Sequence, residues 1–106
     1  MAEVATTKLF ENEKVIVWEM LLEPGDSTGL HTHKHSYVIH VLEGSTLQGT
    51  DANDENPEKI EFKAGETHWV TVDGKDMVIA GVPVSTTHAA RNIGDQRFRE
   101  ILLELK

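Results

Sequence analysis

The sequence contains no cysteine, which excludes disulfide bonds, thiolate metal sites and cysteine nucleophiles. Any bound metal must therefore be held by histidine, carboxylate, tyrosine or backbone oxygen. No apolar run approaches the length of about 18 residues that marks a membrane-spanning helix. Residues 1–14 also lack the apolar core of a signal peptide. We therefore expect a cytoplasmic protein.

Basic residues are scarce as well. The chain has 10 lysines and arginines against 18 aspartates and glutamates, a formal net charge of −8. Nucleic acids and anionic membrane surfaces are bound through clusters of positive charge, so we expect neither as a partner. The length of 106 residues fits one domain spanning residues 1–106. We expect residues 1–7, which are small and polar, to be loosely ordered or paired with a second subunit.

Helical periodicity is also absent, since no segment repeats apolar residues at helical spacing over about eleven positions. Short runs of β-branched, aromatic and aliphatic residues alternate instead with turn residues. Residues 14–23, K-V-I-V-W-E-M-L-L-E, form the clearest strand pattern, and Pro24-Gly25-Asp26 ends it. The sequence predicts an all-β domain of about nine to eleven short strands in a sandwich or barrel.

The strand predicted over residues 14–23 is apolar on both of its faces. One face carries Ile16, Trp18, Met20 and Leu22, and the other carries Val15, Val17 and Leu21 beside Glu19. A two-faced apolar strand lies either between two layers of the fold or against another subunit. Because a small chain also gains buried surface by pairing, we expect a homodimer.

Histidine, in contrast, is concentrated in one stretch. Four of the six histidines lie within residues 25–44, namely His31, His33, His35 and His40. In a strand, alternate side chains point to the same face, so His31 and His33 leave the sheet together. Neutral imidazole is a ligand for zinc, iron, nickel and copper. The pair is therefore a candidate for two ligands of one metal ion.

The same stretch resembles the first motif of the cupin superfamily, which runs G-(five)-H-x-H-(three or four)-E-(six)-G. Gly25, His31, His33 and Gly44 stand at the spacing of that motif. Tyr37 occupies the position of the motif's glutamate, which is the only departure. The resemblance to the family extends over most of the chain.

The second cupin motif, G-(five)-P-x-G-(two)-H-(three)-N, is similar to the stretch from Pro83 to Asn92. His88 stands at its histidine position, while Ser85 replaces the second glycine and Met77 the first. A rival placement runs from Ala64 to His68. It also has a glycine and two residues before its histidine, but it lacks the proline and has Val72 at the asparagine position.

The resemblance implies an antiparallel double-sheet jelly-roll barrel of the small, RmlC-like kind, assembled as a homodimer. It further implies a divalent transition metal, one of iron, manganese, nickel or zinc, held by His31, His33 and His88. His68 and His35 are the alternative ligands. Tyr37 stands where the family's fourth ligand would be and is the candidate catalytic residue, as an acid–base or orienting group.

Two functions remain open from the sequence. The first is a metal-dependent cupin that acts on a small molecule in the barrel pocket, with oxygenase, isomerase or lyase chemistry undetermined. The alternative is a non-catalytic cupin that binds a small ligand or sugar and keeps its histidines as a degenerate metal site. The fold alone does not choose between them, because one fold hosts many activities.

Overall fold

The computed structural model describes residues 1–106 and contains twelve β-strands and no helix. The strands are β1 (Thr7–Glu11), β2 (Val15–Leu22), β3 (His31–Thr32), β4 (Tyr37–Glu43), β5 (Ser45–Asp51), β6 (Glu58–Phe62), β7 (Thr67–Val70), β8 (Val72–Asp73), β9 (Asp76–Ile79), β10 (Val82–Ser85), β11 (Thr87–Asn92) and β12 (Phe98–Leu105). The predicted all-β fold is confirmed. None of the elements is a helix with the length and apolarity needed to cross a membrane.

The strands form two principal antiparallel sheets and a small third one. A five-stranded sheet has the order β1-β2-β12-β4-β7, and a four-stranded sheet has the order β3-β11-β5-β6. The order β10-β9-β8 makes the third sheet, which closes one side. Neighbouring strands come from distant parts of the chain, as in β2-β12-β4, which is the connectivity of a jelly roll.

The core lies between the two principal sheets. The inner face of β2 carries Trp18, Met20 and Leu22, all of which are buried, as the alternation in the sequence predicts. The inner face of β12 adds Phe98 and Leu102. Strand β4 contributes a further set from the same sheet, Tyr37, Ile39 and Val41, and these side chains fill the space between the layers.

The structure has one strand more than the upper limit predicted from the sequence. The apolar run over residues 77–84 is divided by a turn at Ala80 and Gly81, whose φ angles are 51° and 80°. The turn joins β9 to β10 as a hairpin. Alanine is a poor turn marker, so the apolar composition hides the break. Strands β3 and β8 are only two residues long.

Residues before β1 lie against the barrel. The amide of Ala2 donates to the carbonyl of Leu30 over 2.8 Å, and Ala5 is buried. The amide of Thr6 donates to the carbonyl of Glu19, which leads the chain into the edge of the five-stranded sheet. The start of the chain therefore packs beside the segment that precedes β3.

Asn92 holds together the end of the barrel opposite the histidines. Its Nδ2 donates to the carbonyls of Leu22 and Gln96, at 2.9 and 2.8 Å. Its Oδ1 accepts from Ser45 Oγ at 2.8 Å and from the amide of Gly94 at 3.0 Å. Asn92 is fully buried and satisfied. Its side-chain amide ties the turn after β11 to the end of β2.

Candidate metal centre

Strands β3 and β11 bring three histidines together inside the barrel. The two strands pair antiparallel with His31 directly opposite His88. His33 follows on the same face, and its amide donates to the carbonyl of Thr86 over 2.9 Å. All three side chains are buried, and one ligand nitrogen from each lies within 4.8 Å of the others. We call this set the histidine cluster.

The three rings are arranged as ligands around a common point. Each pair of rings is nearly perpendicular, with angles of 83° for His31–His33, 80° for His31–His88 and 88° for His33–His88. The Nε2 atoms of His31 and His33 are 3.1 Å apart. Two nitrogens at right angles around a metal, each about 2.1 Å from it, are separated by about 3.0 Å. The observed distance fits that geometry.

The cluster is uncharged at neutral pH. Burial lowers the pKa of His31, and burial together with the neighbouring imidazoles lowers the pKa of His33 to about 2 and of His88 to about 3. The Nδ1 of His31 lies 2.9 Å from the carbonyl oxygen of Gly29, to which it donates. Its Nε2 therefore carries the lone pair, and neutral imidazole is the form that binds metals.

The donor set fits a transition metal. His33 Nδ1 is the one fully buried side-chain nitrogen or oxygen without a hydrogen-bond partner. Three neutral nitrogens with no carboxylate among them suit zinc, iron, nickel or manganese with open coordination positions. Calcium and magnesium prefer oxygen ligands, so the cluster does not suit them.

Tyr37 points into the same interior, as its position in the motif predicts. Its ring stacks on that of His33, with centroids 4.6 Å apart, and its hydroxyl lies 3.7 Å from Met77 Sδ. Burial raises the pKa of Tyr37, and the charges of Glu100 and Glu104 add to the shift. Without a metal ion, the residue is therefore a neutral phenol beside the cluster.

The alternative ligands lie elsewhere. His68, on β7, is half-buried with its Nε2 3.4 Å from Glu66 Oε1, and its ring lies edge-on to Phe62. His35 lines a surface groove with residues at the start of the chain. Only His88 joins His31 and His33, because its strand pairs directly with β3. The sequence does not reveal that pairing.

The glycine that closes the first motif has a packing reason. A Cβ on Gly44 would overlap the backbone of Phe62 and Lys63, which crosses close beside it. The chain therefore passes from β4 to β5 where β6 ends, and only glycine leaves room for that crossing.

The histidine cluster forms part of the wall of an interior pocket. The pocket is a narrow cavity of about 70 Å³ that opens to solvent. Its walls are mainly apolar side chains from both principal sheets, including Met20, Ile39, Leu47, Phe62 and Ile79. No lysine or arginine lines it. The pocket therefore suits a largely apolar molecule, with polar recognition supplied by a few groups.

Glu100 lines the same pocket, but the sequence patterns did not predict it as a site residue. It is on the inner face of β12 between Phe98 and Leu102, and only 5% of its surface is exposed. Burial raises its pKa to about 8, without any hydrogen bond or neighbouring charge to offset the effect. The alternation with Phe98 and Leu102 could have indicated its direction, but the opposite face of β12, with Ile101, Leu103 and Leu105, is the more apolar in sequence.

Known proteins resemble this chain in structure but not detectably in sequence. No protein-family model matches the sequence, and no curated protein matches it. A cupin domain from Bordetella pertussis Tohama I superposes with a TM-score of 0.72 at 23% identity, covering 94% of this chain and 90% of its own.

Two other solved structures have the same architecture. An RmlC-like cupin family protein from Methanocaldococcus jannaschii, with a double-stranded β-helix fold, has a TM-score of 0.61 at 17% identity and covers 92% of this chain and 75% of its own. The polyketide cyclase RemF from Streptomyces resistomycificus has a TM-score of 0.56 at 20% identity and covers 92% and 61%. These likenesses agree with the motifs and the strand order, and the chain has the fold of the cupin superfamily.

Proposed function

We propose that this chain is a metal-binding cupin that acts on a small molecule in the barrel pocket. The observation that carries the proposal is the buried, uncharged histidine cluster in the wall of an apolar pocket. Iron, manganese, nickel and zinc fit its donor set. When bound, such an ion can polarise a carbonyl or hydroxyl, acidify a water molecule or, if it is iron, take part in dioxygen chemistry.

The residues of the chain have separate roles in this proposal. His31, His33 and His88 hold the ion, and the carbonyl of Gly29 keeps the ring of His31 in one tautomer and orientation. The apolar walls exclude water from a bound molecule. Tyr37 stays protonated and orients the bound molecule as a hydrogen-bond donor, for which its hydroxyl must leave its weak contact with Met77 Sδ.

The non-catalytic alternative also has an observation in its favour. Tyr37 replaces the fourth ligand of the cupin motif with a phenol that stays neutral, so the site has three ligands and no negative charge. A weaker metal site would leave a pocket that binds a small ligand and returns it unchanged. RemF, whose fold is similar, is a polyketide cyclase, so this fold can also accommodate catalysis.

Metal analysis of protein purified without a chelating tag tests the proposal. We expect about one equivalent of a transition metal in the wild type, either as isolated or after addition of zinc, iron, manganese or nickel. His88→Ala should abolish uptake, whereas His68→Ala, which removes a histidine outside the cluster, should leave it unchanged. Uptake below about a tenth of an equivalent in the wild type would contradict the proposal.

A separate experiment distinguishes catalysis from binding alone. The metal-loaded protein and its His88→Ala variant are incubated with a bacterial metabolite extract, and the products are compared by mass spectrometry. A compound consumed only by the wild type supports the enzyme. A compound that raises the melting temperature and is recovered unchanged supports the binding module.

We also propose that a second copy of the chain covers the outer face of the five-stranded sheet. One apolar residue from each strand forms a row in register, consisting of Phe10, Val17, Leu103, Val38 and Trp69. Phe10 and Trp69 are more than half exposed. We call this set the outer apolar row. The five-stranded sheet ends at β1, an edge strand whose residues are all exposed. Pairing of two copies would cover both the outer apolar row and this edge strand.

A further inference from the structure

Two glutamates line the pocket, the exposed Glu58 and the buried Glu100, and Glu100 is buried without a partner. Strand β12 places it opposite Met20 of β2 and Val41 of β4, at a local shift in the pairing register. Its surroundings are therefore apolar on both sides. Its side chain lines the pocket and makes no hydrogen bond or ion pair within the chain, and burial raises the pKa of its carboxyl. A polar group buried in this way is destabilising unless something else pairs with it.

A second glutamate on the same face provides a contrast. Glu104 is equally buried, but its Oε1 accepts a hydrogen bond from Trp18 Nε1 at 2.5 Å. Its role is explained by the fold alone. Glu100 lines the pocket that the histidine cluster also lines, whereas Glu104 does not.

We propose that Glu100 contacts the bound molecule and pairs with a hydroxyl group of an otherwise apolar ligand in the pocket. The inference rests on the proposed function, since it names the class of molecule that the same pocket would take. The ligand would have a hydroxyl at the Glu100 side and would reach the histidine cluster with another part of its structure.

The chemistry of the pocket favours a hydroxyl over an acidic group. No lysine or arginine lines the pocket, so a carboxylate or phosphate near Glu100 would meet no positive side chain. A carboxyl that holds its proton near neutral pH both donates and accepts a hydrogen bond, and a hydroxyl does the same. The apolar walls supply the remaining contacts.

Glu100 is not a fourth member of the histidine cluster. The close set of candidate ligand atoms contains the three imidazoles and no carboxylate. Loss of metal uptake in a Glu100 variant, comparable to the loss in His88→Ala, would assign Glu100 to the metal instead and overturn the proposal. We expect Glu100→Gln to take up metal as the wild type does.

The test uses benzyl alcohol and toluene, which differ by one hydroxyl group. Binding is measured by NMR titration of the methyl groups of Ile39, Ile79 and Leu102, with the protein either treated with EDTA or loaded with zinc. We expect benzyl alcohol to bind the wild type and to lose at least about tenfold in affinity in Glu100→Leu. Toluene should bind both proteins within about a factor of two.

Two further variants keep the result interpretable. Glu100→Gln retains a donor and an acceptor and should preserve most of the affinity for benzyl alcohol. Glu61→Gln changes an exposed carboxylate on β6 and should leave every affinity unchanged. If Glu100→Leu weakens toluene as much as benzyl alcohol, or if benzyl alcohol does not shift the pocket methyl groups of the wild type, the proposal is overturned.

The outcome separates this inference from the proposed function. A preference for benzyl alcohol that depends on Glu100 in EDTA-treated protein, combined with no metal uptake, would overturn the metal function and keep the role of Glu100. Metal uptake that depends on His88, combined with equal binding of the two probes, would do the reverse.

Discussion

The two faces of the five-stranded sheet depart from the ordinary distribution of polarity in opposite directions. Its inner face, which packs in the core, carries the buried carboxyls Glu100 and Glu104. Its outer face carries the outer apolar row. Buried polar groups and exposed apolar patches are the informative exceptions in a folded protein. Strand β12 contributes to both exceptions, with glutamates on one side and Leu103 on the other.

The inner face holds a second contrast. Glu104 is paired with Trp18 and belongs to the structure, whereas Glu100 is unpaired and belongs to the pocket. Both carboxyls are buried, so it is the presence of a hydrogen-bond partner that distinguishes the structural carboxyl from the candidate ligand contact. The outer face has no comparable division, because its row is continuous across all five strands.

Charge placed in the outer apolar row should have the largest effect. We expect the wild type to elute as a particle of twice the 11.8 kDa chain mass. The double variant Val38→Glu and Leu103→Glu should raise the dissociation constant at least about a thousandfold, since it buries unpaired charges at the contact. Light scattering after size-exclusion chromatography measures the mass.

Val78→Glu is the matched control, because Val78 is an exposed apolar residue outside the row. It should leave the mass unchanged. A wild type that elutes as a single chain at all concentrations would show that the outer face is not covered by a second copy.

Removing the carboxyl of Glu104, which is buried on the inner face of the sheet, should have the next largest effect, on the free energy of unfolding. Glu104→Ala leaves the indole N–H of Trp18 unpaired and opens space in the core. We expect the free energy of unfolding to fall by about 4 kcal/mol, measured by urea denaturation. A double-mutant cycle with Trp18→Phe should recover part of this loss as coupling between the two side chains. Independent, additive effects would contradict the pairing.

The buried carboxyl of Glu100 should make the stability of the folded protein fall as pH rises. The folded protein holds a proton on Glu100 up to a pKa of about 8, against about 4.5 for an unperturbed glutamate. Between these values the folded state binds more protons than the unfolded state, so stability falls as pH rises. The stabilising effect of the proton is complete below about pH 4.5 and is lost once pH passes about 8.

Glu100→Gln removes this titration. Between pH 4.5 and pH 9, the wild type should lose about 4 kcal/mol of its free energy of unfolding relative to the variant, measured by urea denaturation across the range. Glu61→Gln should give the wild-type pH dependence. A wild-type curve that matches that of Glu100→Gln would mean that Glu100 is solvated in the folded state.

Much of the candidate site is visible in the sequence because it depends on short spacings. His31 and His33 share a face since alternate strand residues do, and Tyr37 lies inward by the same parity. The run Trp18, Met20 and Leu22 likewise predicts a buried face. These relations hold within one strand and need no knowledge of the partner strands.

Other features could not be predicted in this way. The turn at Ala80 and Gly81 lies within an apolar run, so composition hides the hairpin. Glu100 lies on the less apolar face of β12 in sequence, yet that face is the buried one, so alternation alone does not reveal its direction.

By itself, the sequence determined the class of fold, the placing of His31 and His33 on one face and the replacement of a motif glutamate by Tyr37, because each follows from local alternation and spacing. The resemblance named His88 ahead of His68, but only the tertiary structure brings His88 beside His31 and His33, because that depends on β11 pairing with β3 across a long separation in the chain. It also decided that Glu100 faces the pocket, because β12 lies between β2 and β4 with one particular register. Pairing and register between distant strands are set by the packing of the whole barrel.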